Sequence, residues 1–423
     1  MGQGRRGLRP LFGVVVFSIG LWGSGAQASG PLAYAVRATI EQHPEVQTAL
    51  AEVAVAQGEV GLARNGYLPS LNASAGPAGS GVTYEVTLSQ TVQDWGTTRS
   101  QVEEKRAQLA LSQARLAVAQ DDAALELIEV YLDVASHKVV LGLIQDHEQS
   151  LSELDAMAQA RLSGRYGDLG EAGRIALALA RVRGQSRQLK GELSEAEDHF
   201  EHLSGTTPNG VRVPDMPQYL LQASDEAVLT DLIAASPLYR RGALGVRAAE
   251  ASLKGAQASR YPRLALEGSV LRREIGGRLV NDTSLNLRLR SSSLQGLSFW
   301  QAPELARHRR DAAARSADGV RRDLERMVAS LRLADRALEG RIETLSDQVS
   351  GADQVRSVYR EQFLVGHREI QDLVAIESEH YEAERQIIEL TLERLRLQYR
   401  VAAQLGLLAK GFIDPDDAEG LQP

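Results

Sequence analysis

At 423 residues, the chain has room for two or three ordinary domains or for one extended one. Its formal net charge is −8 and no dense Lys/Arg block stands outside predicted helical faces, which excludes nucleic acid as a partner. It contains no cysteine, so neither a disulfide framework nor a lipid-bearing thiol is available and packing must hold the fold.

The N-terminus reads as a secretory signal over residues 1–28. Arg5, Arg6 and Arg9 form its basic region, Leu11 to Trp22 its apolar stretch, and Ala26-Gln27-Ala28 a small-x-small cleavage site. Losing those three arginines moves the net charge from −8 to about −11. Beyond the signal no run of about 18 apolar residues occurs, so no transmembrane helix is expected.

A long internal repeat organises the rest of the chain. Pro44 and Pro69 stand 25 residues apart, as do Pro237 and Pro262, an offset of 193 residues. Between them Val53 matches Val246, Ala56 matches Ala249 and Ala63 matches Ala256 without a gap. One unit is therefore built twice. The expected organisation is a first repeat over 29–205, a linker over 206–230, a second repeat over 231–408 and a tail over 409–423.

Within the first repeat, a short helix is expected from about Val36 to Gly66, then a β-hairpin over about 67–92. Val82, Tyr84, Val86 and Leu88 alternate there with Thr83, Glu85, Thr87 and Ser89. No proline occurs between Pro77 and Pro208, and the intervening residues are good helix formers. Val102, Leu109, Leu116, Ala123 and Val130 recur every seven residues, a coiled-coil-like seam. A helix from Thr97 to Ser163 would be roughly 100 Å long. A glycine cluster beginning at Gly164 then marks a turn, with helix resuming from about Glu171 to Leu203. The second repeat predicts a helix over Pro237 to Arg260, a hairpin over about 264–292, a long helix from Glu304 to Val365, a turn at Gly366 and helix to Leu405. Two short helices stacked end to end would match one long one, which predicts a tall cylinder. Each hairpin fits either a half-buried soluble sheet or a barrel with lipid outside and water inside. Four strands cannot close a membrane barrel, so the barrel reading requires several chains.

Motifs for chemistry are weak. Gly76-Pro-Ala-Gly-Ser-Gly81-Val-Thr83 has the glycine spacing of a phosphate loop but lacks its lysine and leads into a strand, so it reads as a hairpin turn. The eight histidines show no metal spacing, and no nucleophile elbow is present. Glu377, Glu379 and His380 read as a solvated helix face. No enzyme, cofactor or metal is expected.

Taken together, the signal, the duplicated helix–hairpin–helix–helix unit and the proline pairs resemble the TolC family of outer-membrane efflux proteins. The resemblance covers about Leu32 to Leu408. It is sharpest at Phe363-Leu-Val-Gly366-His-Arg368-Glu-Ile-Gln-Asp372, with Tyr381 and the closing Leu405-Gly406, and at Ser89-Gln90-Thr-Val-Gln-Asp94-Trp-Gly96. The family implies a mainly helical fold with membrane β-structure. In its homotrimer, four strands per chain make a twelve-stranded barrel in outer-membrane lipid, continued by a helical tunnel through the periplasm. It also implies a periplasmic adaptor and an inner-membrane ABC or proton-driven pump as partners, for type I protein secretion or multidrug efflux. The lack of a lipid-anchor cysteine fits the TolC-like and type I secretion members better. At the tip, formed by the turns at Gly164 and Gly366, the resemblance implies a constricting carboxylate at Asp372, supplemented by Glu377. It also implies a gate latch in which Arg368 pairs with Asp168 or Glu171, beside Phe363 in place of the usual tyrosine. The alternative reading is a soluble periplasmic coiled-coil adaptor or scaffold.

Overall fold

The computed structural model describes residues 31–78, 81–164, 169–223, 225–275, 278–291 and 298–413. The signal sequence expected over residues 1–28 and Asp168 lie outside these residues. Among them, helix dominates: α1 (Pro31–Gln42), α2 (Pro44–Arg64), α3 (Thr97–Ser163), α4 (Leu169–Ser204), α5 (Tyr219–Gln222), α6 (Glu226–Ala235), α7 (Pro237–Ala258), α8 (Ser298–Leu364), α9 (Ile370–Leu405) and α10 (Leu408–Ile413). Four strands complete the chain: β1 (Ser70–Ala78), β2 (Gly81–Gln93), β3 (Arg263–Ile275) and β4 (Arg278–Arg290).

The duplication is visible in the element lengths. The long helices α3 and α8 each have 67 residues, and the returning helices α4 and α9 each have 36. At about 1.5 Å per residue the long helices span roughly 100 Å. α3 packs on α2 and α7 along one part of its length and on α4 and α9 along another; α8 packs on α7 and α9. The end-to-end stacking expected from the sequence is thus realised.

Proline sets the starts of the short helices. Pro44 and Pro237 each occupy a first-turn position, where the missing N–H costs no hydrogen bond. Pro44 also separates α1 from α2, a break within the single helix expected from Val36 to Gly66. Pro303 sits inside α8, which starts at Ser298, ahead of the expected Glu304. Helix α9 ends on Gly406 at φ +76°, where a Cβ would fall 2.1 Å from the Pro237 ring, so the end of the second repeat is keyed to its beginning. The linker expected over 206–230 contains α5 and the start of α6, and the tail expected from 409 overlaps α10.

The core lies where the helices cross. Leu127, Ile128, Leu132, Leu392, Leu395 and Ala402 bury together with α1 and α10, and a second cluster around Leu151, Leu154, Ile175, Phe363 and Leu373 fills the end near the helical turns. Ion pairs flank the apolar seams. Arg394 reaches Asp335 at 2.9 Å, joining α9 to α8, and Arg400 reaches Glu129 at 2.8 Å, joining α9 to α3.

The four strands form one antiparallel sheet in the order β1-β2-β3-β4, leaving β1 and β4 with an unpaired edge each. The sequence places a loop over Ile275 to Asp282, yet β4 already begins at Arg278, so this hairpin is tighter than the sequence suggests. The register places Asn72, Thr87, Ser269 and Ser284 in one row across the sheet, and Ala73, Val86, Val270 and Thr283 in the adjacent one. One face is therefore rich in hydroxyl and charged groups. The other carries Leu71, Val86, Leu88, Leu266, Leu285, Leu287 and Leu289, all exposed.

Candidate functional site

Two regions hold the candidate residues: the helical turns at one end and the sheet at the other. The second turn is built by glycine. The Gly366 N–H donates to the Phe363 carbonyl at 3.0 Å and the His367 N–H to the Gln362 carbonyl at 2.9 Å, with Gly366 at φ +81°. That left-handed residue ends α8 at low cost and lets α9 start at Ile370. In the first turn Gly164 closes α3, its N–H donating to the Ala160 carbonyl at 3.1 Å.

Asp372 lies in the first turn of α9, where the helix N-terminus favours a carboxylate, and it is partly exposed. Arg368 folds back onto its own hairpin. Its Nη1 lies 3.3 Å from Asp372, its Nε donates to Gln362 at 3.0 Å, and its guanidinium sits 4.1 Å over the Tyr359 ring. Among the described residues Arg368 is thus held within its own hairpin, and the expected partner Asp168 lies outside them. An aspartate one helical turn away is the nearer partner. One oxygen of Glu171 is buried without a partner among the described residues.

The contact between the two turns runs through other residues. Phe363 is fully buried, and the Arg161 guanidinium lies 4.5 Å over its ring. Arg161 ends α3 whereas Phe363 ends α8, so this cation–π contact ties one hairpin to the other. Arg174 on α4 donates to Gln371 on α9, and Arg360 on α8 lies 3.6 Å from Glu153 on α3. Phe363, standing where the resemblance leads one to expect tyrosine, makes this contact through its ring.

Glu377 sits in the seam between α8 and α9. Its side chain is only 3% exposed and is gripped by Arg356 at 3.2 Å and Arg360 at 3.3 Å, both on α8. A carboxylate neutralised inside an α8–α9 seam is not a free lining charge. His380, three residues on, is also buried, so the solvated-face reading holds only for exposed Glu379. His380 Nε2 lies 3.3 Å from Asp353 and its Nδ1 3.3 Å from Glu384. Next to it His147 of α3 stacks on Tyr381, with ring centroids 4.5 Å apart and planes 8° from parallel. Burial, then the neighbouring His380, pushes the His147 imidazole down to about 4. The sequence signal for this seam was the spacing Leu373, Ile376, Glu377, His380, Tyr381 on one helical face, with Arg356 and Arg360 one turn apart on α8.

At the other end, each strand–helix junction carries an exposed aromatic: Tyr67 before β1, Trp95 after β2, Tyr261 before β3 and Trp300 beyond β4. Trp95 adopts φ +58°, an unusual conformation for a large residue. Asp94 fixes it by accepting from the Gly96 N–H at 3.0 Å and the Thr98 N–H at 2.7 Å. The Trp95 indole N–H donates to the Pro262 carbonyl at 2.9 Å and its ring lies 5.5 Å from Tyr261, so the two repeats join at this level. An apolar outward face bounded by interfacial aromatics is the pattern of a lipid-facing strand. No helix among the described residues is long and apolar enough to cross a membrane.

The arrangement is one of long paired helices continued by an open sheet with one apolar and one polar face. Residues 35–196 match the family model described as outer membrane efflux protein. The structure resembles the outer membrane protein VceC from Vibrio cholerae, with a TM-score of 0.76 and 15% identity over 89% of this chain and 96% of that one. It also resembles a membrane protein from Pseudomonas aeruginosa, with a TM-score of 0.76 and 18% identity over 88% and 90% of the two chains. The open state of the Neisseria gonorrhoeae MtrE outer membrane channel gives a TM-score of 0.71 at 18% identity over 89% and 88%. Comparison with curated proteins finds no match. The chain therefore shares the fold of these outer-membrane proteins.

Proposed function

We propose that three copies of this chain close a twelve-stranded barrel in the outer membrane and a helical tunnel beneath it. The assembly acts as the passive exit duct of a tripartite export system. An inner-membrane pump, ABC or proton-driven, would deliver cargo, and a periplasmic adaptor would open the tip, for type I protein secretion or multidrug efflux. The observation carrying this reading is the open sheet: one apolar face, one polar face and two unpaired edges on the same four strands. In lipid every backbone group needs a partner, and further copies supply it by closing the barrel.

At the tip, Asp372 from each copy would form a negative collar, with Arg368 holding it in place. Arg161 on Phe363, and Arg174 on Gln371, would hold the two hairpins shut. Glu377 is assigned to the α8–α9 seam. Planar-bilayer recording tests the assignment: Asp372→Asn should weaken block by multivalent cations, and Arg161→Gln should raise resting conductance. Unchanged block and unchanged conductance would remove both residues from the gate.

A further inference from the structure

The polar face of the sheet is not uniform, and its charge is concentrated in the second repeat. On β1 and β2 it carries Ser70, Asn72, Ser74, Thr87 and Ser89, with Glu85. On β3 and β4 it carries Glu267 with Arg288 and Arg290. The Glu267 side chain is 7% exposed, while those of Arg288 and Arg290 are 55% and 65% exposed. Arg288 Nε lies 3.0 Å from one Glu267 oxygen and Arg290 Nη2 2.6 Å from the other. One buried carboxylate thus anchors two guanidinium groups, each with donors left over because an arginine carries five N–H bonds. The same residues border a polar hollow of about 300 Å³ on this face.

Neutralising Glu267 needs one arginine, so the second is surplus to that role. The register also sets Arg263 directly across from Arg290. Like charges on opposed strands repel. Asp94 lies near Arg263, and residues 292–297 include no charged side chain. Among Arg263, Arg288, Arg290, Asp94 and Glu267 three arginines face two carboxylates, and Glu85, which borders the same hollow, brings the wider face to balance.

We propose that Arg288 and Arg290, aimed by Glu267, form a lumenal binding site for anionic groups, carboxylate or phosphate, on solutes passing through the barrel. The site rests on the duct reading, since only a closed barrel turns this face into a lumen. In it the site would recur around the pore and give acidic solutes a foothold where the barrel meets the helical tunnel, opposite in sign to the Asp372 collar. Paired guanidinium forks suit both oxyanions.

The test is block of single channels of the full-length protein by tripolyphosphate and by citrate, added from the side of the barrel. Wild type should be blocked by at least one of them, and which one identifies the preferred oxyanion; block by neither overturns the site. Arg288→Gln/Arg290→Gln should weaken the block about tenfold or more. Equal block in wild type and the double variant also overturns it. Should the glutamine pair fail to assemble, Arg288→Lys/Arg290→Lys keeps the charge but loses the fork and must still bind more weakly; equal binding refutes the geometry. Absence of any conductance in the wild type would instead fell the duct reading, and the site with it.

Discussion

The two faces of the sheet can be told apart by placing the same arginine on adjacent residues of the central strand β2. Val86 and Thr87 both lie near the middle of the strand Gly81–Gln93, on opposite faces. Thirteen residues span roughly 43 Å at about 3.3 Å each. A tilt of about 40° still leaves roughly 33 Å of height, which exceeds the apolar band of about 25 Å and puts both residues near its midplane. An arginine facing lipid there costs about 2–4 kcal/mol per chain, or roughly 30- to 700-fold in the insertion equilibrium. Thr87 faces the polar side and loses a single 3.3 Å hydrogen bond to Glu85, within about 1 kcal/mol. Val86→Arg should therefore abolish heat-resistant oligomers in outer-membrane vesicles, while Thr87→Arg should retain them. Equal losses in the two variants, or a worse loss for Thr87→Arg, would refute the assignment of faces.

Two further predictions concern pH. Asp121 is buried, accepts the Ala409 N–H at 2.9 Å and so holds α10 on α3; burial pushes its carboxyl up to about 7. A raised acid contributes stability that is complete below about 3.8 and lost as pH rises through 7, by about 4 kcal/mol. Asp121→Asn keeps an acceptor but cannot ionise, so its heat resistance should stay level between pH 5 and 9 while wild type declines; matching slopes would sink the argument. His147 works in the opposite direction. With its pKa lowered from 6.5 to about 4, the stability present above 6.5 falls as pH drops through 4, by roughly 3 kcal/mol. His147→Phe should flatten acid melting over that window, and an unchanged acid profile would count against the buried neutral imidazole.

The helical frame was legible because proline and glycine mark it directly. α3 runs from Thr97 to Ser163, the bounds set by its flanking glycines, and α9 ends at Leu405 as the Leu-Gly step suggests. Boundaries were missed where local signals conflict with packing: Pro303 lies within α8, and Arg278 to Asp282 pair with β3 despite their polarity. Tip chemistry was less legible. Glu377 and His380 look like a wet acidic face in sequence because their neutralising partners, Arg356, Arg360 and Asp353, lie on the preceding helix and meet them only across the hairpin. Arg161 gave no motif at all, since its partner Phe363 is about 200 residues away. The positive φ of Trp95 was equally hidden, although Asp94-Trp95-Gly96 reads as a strand-to-helix exit.

The unpaired edges of β1 and β4 also have a genetic consequence. A strand edge can be satisfied only by another copy, so in the proposed trimer the subunits are drawn from one common pool before any barrel closes. A cell making equal amounts of wild type and an assembly-competent Asp372→Asn chain would then carry only about one pore in eight with three native carboxylates. Tip mutations of this protein should accordingly behave as dominant alleles, whereas a lesion that blocks edge pairing removes its own product and stays recessive.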